Sequence, residues 1–290
     1  MNIKQAIQEG NKILKENNIE EPNIKIKLLM QNILKKTRQY IVANDTQEIS
    51  KEQEIKYLEG IQKLKNNMPI EYITNQKEFM EKIFYVDENV LIPRQDTETL
   101  VEEVIKIADT KLKANQKIIN NKLQILDMCT GSGAIAVSLE SYIDKSEIDA
   151  VDISQKALEI TEKNAKENKV EKKIKEIESN LYKNIGEKKY DIIVSNPPYI
   201  KHEVIKKLDK QVQEEPLIAL DGGDDGLEFY RKIIKQSPKY LKKDGYLCLE
   251  IGYDQKDEVI NLLNTENKYK NIYSKKDLCG NDRIVIAQLG

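Results

Sequence analysis

Tryptophan is absent from the 290 residues, and histidine occurs once, as His202. A single histidine in a charged segment, KHEVIKK, leaves a histidine-dependent triad or a multi-histidine metal site little to build on, so His202 reads as a solvated helix residue. The three cysteines, Cys129, Cys248 and Cys279, stand far apart without C-x-x-C spacing. That argues against a disulfide framework and a structural zinc site and fits a reducing cytoplasm. No window approaches the roughly 18 apolar residues of a membrane span, and MNIKQAIQEG lacks the apolar core and cleavage site of a targeting peptide. An excess of one charge sign is missing too: 47 basic and 49 acidic residues leave a net charge of -2. No global basic footprint therefore points to nucleic acid, and a protein or small-molecule partner is favoured. With 39% apolar and 33% charged residues, the chain predicts thin cores and highly charged helices, and its length suits two domains.

What is present divides into three stretches. Over residues 1–68 apolar side chains fall at helical spacing: Ile3, Ala6, Ile7, Ile13 and Leu14, then Ile24, Leu28, Leu29, Ile33 and Leu34. Pro22 suits the first turn of the second helix, and Ser50 caps a further one striped by Ile55, Leu58, Ile61 and Leu64. This predicts a small helical bundle. Residues 69–92 read as a hairpin-like linker of short extended pieces, EYIT and FMEKIFYV. Residues 93–290 form the third stretch: Pro93 ends a run, Asp96 or Thr97 caps a helix, and from residue 117 strands and helices alternate. LQILDM, EIDAVDI, KIKEIES, KYDIIV and GYLCLEI are the strands, and the alternation predicts a doubly wound α/β sheet with helices on both faces.

The first of these strands runs into DMCTGSGA, where Gly131 and Gly133 let the backbone pass close to a ligand at the start of a helix. The second ends on Asp152, a carboxylate able to accept from both hydroxyls of a ribose. Together they predict a nucleoside-bearing cofactor, and NAD remains open, because Gly131-Ser-Gly-x-x-Ala136 with Asp152 fits the loose dinucleotide fingerprint. After the third strand, Asn180 and Leu181 are placed to border an adenine. The fourth delivers SNPPYI at the end of the sheet where ligands bind. Its prolines, Pro197 and Pro198, fix two φ angles and remove two donors, so nearby carbonyls can face a ligand beside Asn196 and Tyr199. Glu250 at a strand end and Arg94 and Glu98 at a helix start are weaker candidates. Gly222, Gly223 and Gly226 are expected to use unusual φ values in a turn near the substrate channel.

A glycine loop, an acid after the next strand and N-P-P-Y after the fourth resemble the class I S-adenosylmethionine-dependent methyltransferases that modify planar nitrogens. Within that class, LIPRQDTE, DMCTGSGAIA, VDIS, SNPPYI, EPLIALDGGDDGLEFYR and GNDRIV, in that order, resemble the bacterial release factor glutamine methyltransferases over nearly the whole chain. Two departures are Gln95, where many relatives carry proline, and Cys129, where glycine is frequent. The resemblance implies a Rossmann-like seven-stranded sheet with an N-terminal helical domain that engages a protein substrate. It implies methyl transfer to the side-chain amide nitrogen of the glutamine in a Gly-Gly-Gln loop of peptide chain release factors, without metal or direct nucleic-acid partner. Carried over residue by residue, Cys129, Thr130, Gly131, Ser132 and Gly133 follow the methionine part of S-adenosylmethionine, the future S-adenosylhomocysteine. Asp152 takes the ribose, and Asn180 and Leu181 lie by the adenine. Asn196 borders cofactor and substrate; it joins Pro197 and Tyr199 as the catalytic set and, with Pro198, as the substrate-binding set.

Such an amide nitrogen is a poor nucleophile because its lone pair is delocalised, so orientation matters more than proton removal. The Asn196 oxygen and the Pro197 carbonyl would each accept one N–H, with the Tyr199 ring packed on the amide plane. An adenine-N6 methyltransferase on DNA or RNA is the main rival, since a flipped base would stack on Tyr199 equally well. A catalytically silent adaptor built on the helical bundle is a third reading.

Overall fold

Asn2 and Ser50 each open a helix with a reciprocal capping box, Asn2 with Gln5 and Ser50 with Gln53. In a computed structural model describing residues 1–114 and 122–290, these helices belong to the first of two compact units, Met1–Gln76 with Asp209–Glu214. Its helices are α1 (Ile3–Glu16), α2 (Pro22–Leu34), α3 (Arg38–Ala43), α4 (Lys51–Lys65) and α5 (Ile70–Thr74). Pro22 occupies the first turn of α2, as expected. The α4 stripe differs from the expected one: Tyr57, Gly60, Ile61 and Leu64 are buried, whereas Ile55 and Leu58 are exposed. The cause is close packing on α1 and α2. A Cβ at Gly60 would stand 2.6 Å from Leu29 Cδ1, and the Tyr57 hydroxyl donates to the Ala6 carbonyl at 2.8 Å, so the face carrying these residues turns inward. Likewise α2 buries Ile26 and Leu29 while Ile24 and Leu28 face solvent. EYIT is helical rather than extended. Ile70 joins the bundle core, and Asn75 ends α5 in the left-handed region.

The second unit is Lys77–Leu208 with Glu215–Gly290. It begins with a hairpin, β1 (Lys77–Phe79) and β2 (Lys82–Phe84), turned by Met80 and Glu81, both at positive φ. Helix α6 (Asp96–Ala114) follows, with Asp96 and Thr97 inside its first turn. The start of the alternation, at residues 117 to 121, lies outside the described residues. Thereafter come β3 (Leu123–Met128), α7 (Ala134–Tyr142), β4 (Ser146–Asp152), α8 (Gln155–Glu167), β5 (Ile174–Glu178) and β6 (Tyr190–Ser195). Short helical turns lead to α9 (Glu228–Gln236), β7 (Leu241–Glu250), α10 (Lys256–Thr265), β8 (Tyr269–Lys276) and β9 (Asp282–Leu289).

The seven main strands pair in the order β5-β4-β3-β6-β7-β9-β8, with β9 antiparallel to both of its neighbours and every other pairing parallel. Consecutive strand residues point to opposite faces: Ile125 joins one buried cluster with Val101, Val104 and Val137, while Leu126 joins the other with Tyr230, Ile233 and Val259. Thus α6 and α7 cover one face and α9 and α10 the other. Sequence order reverses beside β3, whose neighbours are β4 and β6, and in such sheets the crevice beyond the carboxyl ends at this point receives ligands. Met128 lies level with Val151 of β4 and Ser195 of β6, so the three strand exits emerge together.

Candidate active site

The turn after β3 is built on left-handed backbone: φ is +62° at Cys129, +56° at Gly131 and +77° at Gly133. At Gly133 space is also closed, since a Cβ would stand 3.2 Å from Thr161 Cα; at Gly131 it would meet nothing within 4 Å. Internal hydrogen bonds hold the turn. Thr130 Oγ1 and the Ala136 N–H donate to Asp127 Oδ2 at 2.7 and 3.1 Å, and Thr161 Oγ1 donates to the Gly131 carbonyl at 3.0 Å. Asp127 is fully buried, and desolvation pushes its carboxyl up to about 7 against those two bonds.

Asp152 faces this turn from the end of β4. Its Oδ2 accepts the Gly131 N–H and its Oδ1 the Ser154 N–H, both at 2.9 Å, which leaves each oxygen a further lone pair. Burial raises its pKa, and these backbone bonds oppose the rise. After β5 the Ser179 N–H donates to the Asp152 carbonyl, and Ser179 Oγ donates to the carbonyl of Leu181, which is buried at a φ of +51° beside an exposed Asn180.

At the exit of β6, Ser195 Oγ donates to the Met128 carbonyl at 2.6 Å, tying the corner to the first turn. Asn196 Nδ2 donates to Thr97 Oγ1 at 3.3 Å, so the side-chain oxygen of Asn196 is the end left for another group. Pro197 and Pro198 are buried. The Tyr199 hydroxyl donates to Glu250 Oε1 at 3.3 Å, and the Tyr199 carbonyl accepts from Gln255 Nε2 at 2.9 Å. The glycine-rich turn packs on the same backbone: a Cβ at Gly222 would stand 2.7 Å from Tyr199 Cα. Gly222 is therefore required for close approach rather than for its φ, whereas Gly223 and Gly226 do take positive φ.

One cleft gathers Cys129, Thr130, Gly131, Ser132, Asp152, Asn180, Leu181, Asn196 and Pro198; Gly133, Pro197 and Tyr199 are not among its lining residues. Arg94 also lines it and is ion-paired with the buried Glu215, whose other oxygen accepts the Ile92 N–H at 3.1 Å. Glu98 is directed elsewhere and accepts the Met80 N–H in the hairpin turn at 2.8 Å. His202 is exposed, as expected, and pairs with Asp221 Oδ2 at 2.7 Å. Sequence reasoning missed Thr97 as the partner of Asn196, Gln255 as the anchor of Tyr199 and Asp127 as the anchor of the first turn. Only Asp127 had a nearby signal, since it opens DMCTGSGA and sits three residues before the threonine it holds.

The Methyltransferase small domain family matches residues 110–217, and the PrmC N-terminal domain family matches residues 5–74. A release factor glutamine methyltransferase of Clostridium acetobutylicum is 39% identical over 293 residues, covering 100% of this chain and 99% of its own length. Another, of Clostridium botulinum, is 40% identical over 291 residues and 99% of both chains. Among solved structures, the hMettl16 catalytic domain in complex with MAT2A 3'UTR hairpin 6 superposes with a TM-score of 0.54 at 16% identity, over 83% of this chain and 82% of its own. That likeness is one of fold.

Proposed function

The chain belongs to the release factor glutamine methyltransferase family, and on that premise we propose that it methylates the side-chain amide nitrogen of the glutamine in the Gly-Gly-Gln loop of peptide chain release factors. S-adenosylmethionine would supply the methyl group as an electrophilic sulfonium substituent. The first turn suits this cofactor: Gly131 presents a backbone that no side chain covers, and Asp152 keeps acceptor capacity on both oxygens after its two backbone bonds. Cys129 to Gly133 would follow its methionine part, Asp152 would hold the ribose, and Asn180 and Leu181 would flank the adenine.

The observation that carries the reading is the polarity of Asn196. Its nitrogen is engaged by Thr97, so the oxygen is the end offered to the cleft, and the prolines that follow bring no N–H to compete for it. A primary amide with two N–H groups fits two acceptors, Asn196 Oδ1 and the Pro197 carbonyl. Fixing both aligns the nitrogen for displacement and supplies the orientation that a delocalised lone pair requires. Tyr199, tethered through its hydroxyl and its carbonyl, would pack against the amide plane and exclude water.

Adenine offers a similar planar nitrogen, but a full-length relationship to glutamine methyltransferases and a net charge of -2 favour the protein substrate. A cytoplasmic site of action, where release factors work, is part of the proposal. Mass spectrometry of a release factor incubated with the protein and S-adenosylmethionine tests it. One added methyl on the Gly-Gly-Gln peptide is expected, and transfer to nucleic acid alone would overturn it.

A further inference from the structure

The chain that follows the buried Glu215 turns two large apolar side chains outward at the cleft. Leu217 and Ile218 are 55% and 56% exposed, whereas Leu220 of the same short helical turn is 4% exposed. Two consecutive aliphatic side chains held in water carry a cost that contact with another molecule removes. The turn is also fixed on both sides. Glu215 anchors its start to the Ile92 N–H and to Arg94. At its end Ile200 and Asp221 form a parallel bridge, in which the Ile200 N–H donates to the Leu220 carbonyl at 3.0 Å and the Gly222 N–H donates to the Ile200 carbonyl at 2.8 Å. The turn is thereby tied to the SNPPYI corner, and Ile218 and Ala219 line the same cleft as Asn196 and Pro198.

We propose that Leu217 and Ile218 form a subsite for the main chain beside the target glutamine and select a segment that carries no side chains there. The inference rests on Asn196 being the acceptor for a glutamine amide. Three C–C bonds and one C–N bond separate such an amide nitrogen from its own Cα. A glutamine held at Asn196 therefore brings its main chain to within about 5 Å of the reacting nitrogen, at the mouth of the cleft where Ile218 stands. Glycines before the glutamine let an aliphatic side chain close directly on the peptide planes, and a Cβ in that position would hold it away.

The same segment disfavours a nucleic acid. Residues 215–230 carry Glu215, Asp221, Asp224, Asp225 and Glu228 and neither lysine nor arginine. Arg94 and Lys232, the cations lining the cleft, are already paired with Glu215 and Glu228. Phosphates flanking a flipped base would meet like charge and apolar side chains, while an uncharged Gly-Gly main chain meets neither obstacle.

Steady-state kinetics of the full-length protein on a release factor carrying Gly-Gly-Gln, and on the same factor altered to Gly-Ala-Gln, test the subsite. The parent should prefer the glycine form about 10-fold in kcat/KM, the effect of one misplaced methyl group. Ile218→Ala opens space for that methyl and should narrow the preference to about twofold, so the two changes are not additive. Leu217→Ser and Ile218→Ser should each raise KM for the Gly-Gly-Gln factor about 10-fold with kcat within about twofold, as when binding is lost equally from ground and transition states. Ile218→Val should stay near the parent. Urea midpoints should not move, because both side chains are exposed; a merely structural role would shift them and leave the glycine preference as it was. An unchanged preference in Ile218→Ala, or an unchanged KM in both serine variants, overturns the subsite while methylation by the parent upholds the proposed function. Failure of the parent to methylate either factor overturns the proposed function, and the subsite falls with it.

Discussion

Two polar turns face each other across the sheet end, and they are supported differently. The turn after β3 finds its partners nearby: Thr130 reaches back 3 residues to Asp127, Gly131 reaches 21 to Asp152, and Thr161 reaches 30 to Gly131. The SNPPYI corner after β6 is held from afar, by Thr97 at a separation of 99 residues, Glu250 at 51 and Gln255 at 56. A support formed within one strand-turn-helix-strand passage is built as that passage folds. A support formed by α6, β7 and the turn before α10 exists only when the whole sheet has closed. The first turn is therefore suited to a bound cofactor, whereas the corner's geometry depends on tertiary structure and can be altered from several remote positions.

The largest expected effect separates these roles. Asn196→Ala removes an acceptor at the reacting nitrogen and should lower turnover about 1,000-fold, the upper range for one preorganised group. Calorimetry should find its S-adenosylmethionine affinity within a few-fold of the parent. Asp152→Ala should do the opposite. Loss of hydrogen bonds to a charged group, about 1.5–3 kcal/mol, raises the cofactor Kd roughly 10- to 100-fold, and turnover at saturating cofactor should be far less affected. Equal losses of affinity in both variants would erase the proposed distinction between the two turns.

A smaller change probes the remote support. Gly222→Ala places a Cβ 2.7 Å from Tyr199 Cα, a backbone atom that has little freedom to retreat. Overpacking of this kind costs about 1–3 kcal/mol, and the displaced Tyr199 should lower turnover on the peptide with no change in cofactor affinity. Urea unfolding together with steady-state kinetics checks both parts. An unaltered turnover would mean that the corner tolerates movement of Tyr199.

The same distinction governs what was legible in the sequence. The strands β3 to β7 and the helices α7 and α8 were readable because apolar runs are bounded by glycine, proline and polar residues that act locally. The family motifs led to the residues of both turns for the same reason. Spacing did not reveal which of several apolar faces turns inward: Ile55 and Leu58 lie at helical spacing with Ile61, yet Gly60 fits against α2 and Tyr57 against α1, and these contacts decide the rotation. EYIT looked extended because four residues are too few to display a period, and its helix is set by burial of Ile70 and the left-handed stop at Asn75. Glu98 and Glu250 are both glutamates at element ends. Only tertiary contacts direct one to the hairpin and the other to the Tyr199 hydroxyl.

The smallest expected effect falls on the first turn and concerns Cys129. With a φ of +62°, this residue occupies backbone that costs a side-chain-bearing residue about 1–2 kcal/mol. Cys129→Gly removes that strain but gives the unfolded chain more freedom, worth about 0.5–1 kcal/mol. It also removes a partly buried thiol from the cluster around Leu126, Met128 and Leu249. The net gain in stability should stay below about 1 kcal/mol, read as a small rise in the urea midpoint at unchanged slope. Gly131→Ala is the complementary measurement, because at a φ of +56° with nothing within 4 Å it adds strain without a clash. If Gly131→Ala loses about 1 kcal/mol while Cys129→Gly also loses stability, packing of the thiol outweighs its backbone strain. The departure from glycine would then be a stabilising contact in an otherwise glycine-dependent turn.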